Sequence, residues 1–191
     1  MMLTAEFFAR PTLEVAPDLL GATLFVETDE GTCSGRIVEV EAYLGEDDAA
    51  SHAARGPTPR SAVMFGPPGQ TYVYFIYGMH HCLNFVTEME GTPGAVLIRA
   101  LEPVSGLELM AQRRGTEREV DLCNGPGKLC QALGLDLGWN DLSLGGQGNT
   151  QILLKASKEL VKYERSPRLG IKVAADLPYR FFDVGSSFLS G

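Results

Sequence analysis

No Cys-x-x-Cys pair occurs in the sequence, and His52, His80 and His81 form no zinc-ligand pattern with Cys33, Cys82, Cys123 and Cys130. This removes the usual structural zinc spacings. The four cysteines read as reduced thiols of an intracellular protein, with no metal and no cofactor expected. Long apolar runs are missing as well: nothing approaches the ~18 uninterrupted apolar residues that a membrane span needs. The opening stretch, MMLTAEFFAR, has neither a basic region nor a long apolar run of the kind that marks a secretory leader. These absences predict a soluble, unprocessed, cytoplasmic protein with no membrane partner. Internal repeats, low-complexity tracts and polar linkers are also absent, and 191 residues with 45 % hydrophobic content suffice for one core. The expectation is one domain over 1–191.

Positive charge is scarce in the first half of the chain. Residues 1–98 hold 4 Lys or Arg against 13 Asp or Glu, and residues 99–191 hold 12 against 11. The net charge of -8 argues against a strong general hold on nucleic acid, because phosphate contacts supply most non-specific affinity. Any basic face has to come from the later half.

What is present is a pattern of short elements. Thr4–Ala9 and Pro11–Leu20 read as helices, with Pro17 a kink or break in the second and Gly21 a C-cap. Thr23–Thr28 and Cys33–Leu44 flank Asp29, Glu30 and Gly31 and predict a hairpin. Further strands are predicted at Thr71–Tyr77, His81–Thr87, Ala95–Leu101, Gln151–Ala156 and Tyr179–Val184, with helices at Val104–Arg114 and Lys128–Leu133. With few β-α-β signals this is an α+β fold on a curved antiparallel sheet with surrounding helices.

Several segments carry groups capable of chemistry. In Arg36–Leu44, strict alternation puts Val38, Val40, Ala42 and Leu44 on one face and Glu39, Glu41 and Tyr43 on the other. The second face is either solvated or a site with two carboxylates and an aromatic. The strand runs into a polar loop ending at His52, which reads either as a surface histidine or as part of such a site. Thr71–Met79 is rich in aromatics: Tyr72, Tyr74 and Tyr77 each bring a hydroxyl that needs a partner if buried. They suit a central strand or a base-stacking platform, with Tyr77 exposed at a turn before Gly78. Asn84 sits among apolar neighbours and must find hydrogen-bond partners there. Leu97 and Arg99 share a face, so Arg99 pairs with an acid or holds a phosphate. Asn124-Gly-Pro-Gly-Lys128 precedes a helix, but it departs from the Walker pattern and reads as a turn or a weak phosphate cradle.

Taken together, Arg36–Gly45, the Asp47–His52 loop, Met64-Phe65, Tyr72–Met79, Asn84, Leu97–Pro103, Asn124–Leu133 and Arg165–Gly170 resemble the alkyladenine (3-methyladenine) DNA glycosylase family of the mammalian type. The resemblance runs through nearly the whole chain in order. It implies a mixed fold on a curved antiparallel sheet with a protruding β-hairpin that enters the minor groove, and a monomer acting on double-stranded DNA that contains a damaged purine. It implies that Glu41 is the general base that activates water. Tyr43, His52 and Tyr74 would then sandwich the extruded base, with cation-π attraction favouring alkylated purines, while Asn84 excludes the 2-amino group of guanine. Tyr77 would wedge into the duplex. Arg99 and Lys128 would contact phosphates, and Met64 and Leu97 would touch the DNA or line the pocket. Arg36 and Glu39 are supporting residues. Lysine is absent before Lys128, so no amine lies near Glu41 in sequence to form a Schiff base, and base removal without strand cleavage is expected. The competing reading is a non-catalytic damaged-DNA or nucleic-acid binding module, which would have no use for the Glu41 carboxylate.

Overall fold

The longest strand, β2 (Gly31–Tyr43), holds the architecture together by pairing with three neighbours. One edge pairs with β5 (Ala95–Ser105) along most of its length. The other is shared between β1 (Thr23–Thr28) at Gly31–Arg36 and β8 (Arg180–Asp183) at Glu39–Glu41. Residues 1–144 and 151–191 are described in this computed structural model. With β3 (Thr71–Ile76), β4 (His80–Val86), β6 (Gln151–Lys155) and β7 (Tyr163–Ser166), the strands run in the order β3-β4-β5-β2-β1-β6, and β8 joins β2 to β7. Every pairing is antiparallel. The sheet curls, as the α+β reading expects.

Helices α1 (Ala5–Phe8), α2 (Thr12–Asp18), α3 (Leu107–Arg114) and α4 (Pro126–Leu133) accompany the sheet. Pro17 lies one residue before the end of α2, where it removes the N–H that would bond to the Leu13 carbonyl and so helps to end the helix, and Leu19 rather than Gly21 is the C-cap. In α4, Pro126 opens the first turn and Leu129, Cys130, Ala132 and Leu133 are buried. The main core joins these helical residues to Val73, Leu83, Phe85, Val96, Ile98 and Leu101 on one face of the sheet. A smaller cluster of Ala53, Met64, Tyr72, Val86 and Ala95 lies on the opposite face. The sheet is therefore buried on both sides where the 50s and 60s loops cover it.

Several sequence expectations change. Strict alternation along β2 fails at a bulge between Ile37 and Glu39: Ile37 joins the main core with Val40 and Ala42, and Val38 does not. The opposite face of β2 is not solvated, since Glu39 and Glu41 are both fully buried. The helix expected from Val104 also begins later, because β5 continues to Ser105, paired with Ser34, and Gly106 turns the chain into α3. β7, exposed and polar, carries no hydrophobic alternation and was not expected at all.

Gly106 is held at φ 77°, and a Cβ there would stand 2.6 Å from the Thr32 carbonyl oxygen. Gly115, at φ 65° beyond the end of α3, has open space around it. Gly106→Ala should lower stability by about 2 kcal/mol or more and Gly115→Ala by about 1 kcal/mol, read by urea denaturation.

Candidate active site

Register alone brings four candidate residues into a row. Glu41 of β2 faces Leu97 of β5, Leu97 faces Asn84 of β4, and Asn84 faces Tyr72 of β3. Tyr43, Arg99, Cys82 and Tyr74 lie on the same side of those strands, two positions along. All of these but Glu41 line a cavity of about 260 Å³, together with His52, Met64, Leu169, Gly170 and Ile171. The volume lies just below the ~300–1,000 Å³ typical of drug-sized sites and suits one small planar group.

Glu41 sits behind the lining rather than in it. Its side chain is wholly buried, and its oxygens are held from three directions. The Tyr43 hydroxyl donates to Oε2 at 2.8 Å, the Leu169 backbone N–H donates to Oε1 at 2.7 Å, and Arg99 Nη1 lies 3.2 Å from Oε1. Burial and the adjacent Glu41 charge push the Tyr43 phenol well above its ordinary range, so it remains a donor. Arg99 also donates to Glu39 at 3.0 Å, and Glu39 is held further by Arg180 at 2.7 Å and by the N–H and hydroxyl of Ser190 at 2.6 and 2.7 Å. Two guanidinium groups thus balance two buried carboxylates. Arg36, beyond the bulge, pairs with Asp183 at 2.7 Å and supports the strand from outside the cavity.

The aromatic wall is a packed trio. The rings of His52 and Tyr74 meet edge to face at 4.7 Å, Tyr72 and Tyr74 lie 5.2 Å apart, and His52 Nδ1 is 2.8 Å from the Tyr72 hydroxyl. Desolvation and the charge of Arg60 push the His52 imidazole below its ordinary value, and burial pushes Tyr72 up to about 12. The guanidinium of Arg60 lies 4.8 Å from the Tyr74 ring centre and that of Arg168 lies 4.6 Å from Tyr43.

The family model described as Methylpurine-DNA glycosylase (MPG) matches residues 6–187. The chain belongs to this methylpurine-DNA glycosylase family. It is 52% identical over 193 residues to a protein of Methanoculleus marisnigri, covering 100% of this chain and 99% of that one. It is 53% identical over 188 residues to one of Rhodopseudomonas palustris strain BisB18, covering 98% and 90%, and 51% identical over 188 residues to one of Nitrobacter winogradskyi, covering 98% and 86%. All three bear the name "Putative 3-methyladenine DNA glycosylase".

In this methylpurine-DNA glycosylase fold the sequence candidates separate into three groups. Tyr43, His52, Tyr74, Asn84, Met64, Leu97 and Arg99 converge on the cavity, with Glu41 directly behind it. Met64 and Leu97 are buried, which leaves them the pocket and not the protein surface. Asn84 donates its amide to the Tyr72 carbonyl at 2.9 Å. Arg99 pairs with Glu39 and Glu41 and also lines the cavity. Lys128 stands outside the lining, its Nζ 2.8 Å from Asn124 Oδ1. Tyr77 also borders the cavity but is 76% exposed at the tip of the β3–β4 hairpin, where Met79 N–H bonds to the Ile76 carbonyl across the turn. The residues that sequence reasoning missed are Leu169, whose contact is a backbone N–H, Arg180 and Ser190, which reach Glu39 from the C-terminal segments, and Asp48 and Arg168, which pair with each other beside the site.

Tyr77 and Gly78 both adopt left-handed backbone, at φ 55° and 69°. An aromatic residue is costly there and asparagine is not. Tyr77→Asn should therefore stabilise the free protein by about 1 kcal/mol in urea denaturation while removing the exposed ring. In an NMR titration the His52 ring should gain its proton below the ~6.5 of free histidine, and Arg60→Gln should move the midpoint up.

Proposed function

We propose that the protein is a monofunctional DNA glycosylase that flips an alkylated or deaminated purine from duplex DNA into the cavity and hydrolyses its N-glycosidic bond. The single observation that carries this reading is a buried carboxylate, Glu41, aligned by three donors directly behind an aromatic cavity. A binding module has no need of such a group. The relatives' name points to 3-methyladenine among the substrates.

Water attacks the anomeric carbon of the deoxyribose, the bond from that carbon to the purine nitrogen breaks, and the base leaves with the electron pair. Glu41 takes the proton from the water, and Arg99 and the Leu169 N–H keep the carboxylate turned toward it. The base stacks among Tyr43, His52 and Tyr74. Because Arg60 and Arg168 already lie over two of these rings, stacking contributes more than cation-π attraction, and neutral hypoxanthine or ethenoadenine is accepted alongside charged methylpurines. Asn84 crowds the 2-amino group of guanine. Tyr77 fills the gap left in the stack and offsets an unstacking cost of about a few kcal/mol. Lys128, with the exposed Arg60 and Lys172 beside lining residues, contacts phosphates. No lysine lines the cavity among the described residues, so the product is an abasic site on an unbroken strand.

The test uses end-labelled duplexes with one hypoxanthine or ethenoadenine, and separately methylated DNA, under single-turnover conditions. Strand cleavage should appear only after alkali, and Glu41→Gln should slow excision by about 10²- to 10⁴-fold while keeping lesion binding. Cleavage without alkali would overturn the monofunctional assignment. Lesion binding without excision by the wild type would favour the non-catalytic module.

A further inference from the structure

The Arg168–Asp48 ion pair lies outside the cavity and takes no part in the chemistry described so far. It is nonetheless among the most heavily invested contacts in the chain. Both side chains are almost wholly buried, and the guanidinium meets the carboxylate through two bonds, Nη1 to Oδ2 at 2.6 Å and Nη2 to Oδ1 at 2.7 Å. Asp48 also accepts from the N–H groups of Leu44 at 3.0 Å and Ala50 at 3.2 Å, which ties it to the loop leaving β2. Arg168 donates to the Ala42 carbonyl at 2.9 Å, between Glu41 and Tyr43, and lies 4.6 Å from the Tyr43 ring centre and 5.3 Å from that of Tyr179. Among the described residues, its Nε is one of two buried side-chain nitrogens without a hydrogen-bond partner.

The geometry points to Arg168 and Asp48 as positioning residues: the pair fixes the segment that follows, so that the neighbouring Leu169 N–H is delivered to Glu41 Oε1. Arg168 reaches Glu41 through two routes, its own backbone connection to Leu169 and its contact with Tyr43, which donates to the other carboxylate oxygen. This inference rests on the proposed role of Glu41 as general base.

Its signature is a loss of rate without a matching loss of binding. Glu41 is surrounded by Tyr43 and Glu39 on its own strand, Arg99 on β5, Cys82 on β4 and Arg180 on β8, with Arg168 reaching in from the loop. Loosening the loop withdraws the Leu169 donor and the Arg168 contact with Tyr43 together, so the carboxylate is held less firmly.

The experiment measures single-turnover excision from a hypoxanthine duplex at neutral pH for the wild type and Asp48→Asn, with lesion-duplex Kd and thermal midpoint recorded alongside. The expected result is a rate lowered about 10- to 100-fold with a Kd within about threefold of the wild type. Should Asp48→Asn fail to fold, Arg168→Lys keeps the buried charge while losing the fork and carries the same expectation. A variant with a lower thermal midpoint but a wild-type rate per folded molecule, or one whose rate falls only as its Kd rises, would overturn the inference. Absence of excision by the wild type would instead overturn the glycosylase reading.

Discussion

Two carboxylates buried side by side on one strand are the constraint around which the rest of this structure is arranged. Glu39 and Glu41 point to the same side of β2, and both are removed from water. Desolvating even one carboxylate costs several kcal/mol unless charge and hydrogen bonds replace the lost water. Here the replacements come from every part of the chain: Arg99 from β5, Arg180 from β8, Ser190 from the C-terminal segment, and the N–H of Leu169 from the loop after β7. The late segments that wrap back over β2 thus have an electrostatic reason to be there. Removing one member of such a cluster would leave a buried charge uncompensated, at a typical cost of about 3–5 kcal/mol.

The bulges on the two central strands make that arrangement feasible. Pairing skips Val38 on β2 and Arg99 on β5, so the strands change face at nearly the same level. Below the bulge Ile37 and Leu101 belong to the main core; above it Val40 and Ile98 do. The irregularity sets the guanidinium of Arg99 between Glu39 and Glu41, bonding to both. Two regular strands would have given a continuous apolar face and a continuous polar one, with no step at which to seat a cation among carboxylates.

This also explains how far the sequence could be read. The hairpin β1–β2, the strands β3 to β6 and the curved antiparallel sheet follow from hydrophobic alternation and turn residues, because each is half buried against the main core. The face shared by Glu41, Tyr43, Leu97, Arg99, Asn84 and Tyr74 was legible as a set of unusual polar and aromatic positions. What alternation could not supply was the bulge at Val38, since a single extra residue leaves no mark in composition, or β7, whose exposed side chains have no burial pattern to reveal. Nor could it find the Leu169 contact: a backbone N–H has the same identity at every non-proline position, and only the fold decides which one meets a carboxylate.

The same economy bears on how an acidic chain engages DNA under the proposed function. With a net charge of -8, long-range attraction to phosphate is weak, and Arg99, Arg168 and Arg180 are all committed to internal carboxylates. Few cations remain near the cavity mouth to release counterions, so affinity has to come from contacts made at short range. The hairpin tip presents Phe75, Tyr77 and Met79, which are 43%, 76% and 70% exposed, on a turn whose first residue is held in left-handed backbone. Apolar side chains and backbone strain at a tip are a net cost in the free protein, and inserting them between bases recovers the exposed apolar surface. Binding energy placed at the lesion in this way is realised where the stack is already weakened, so a protein with little general attraction for DNA gains discrimination from the very charge that limits its affinity.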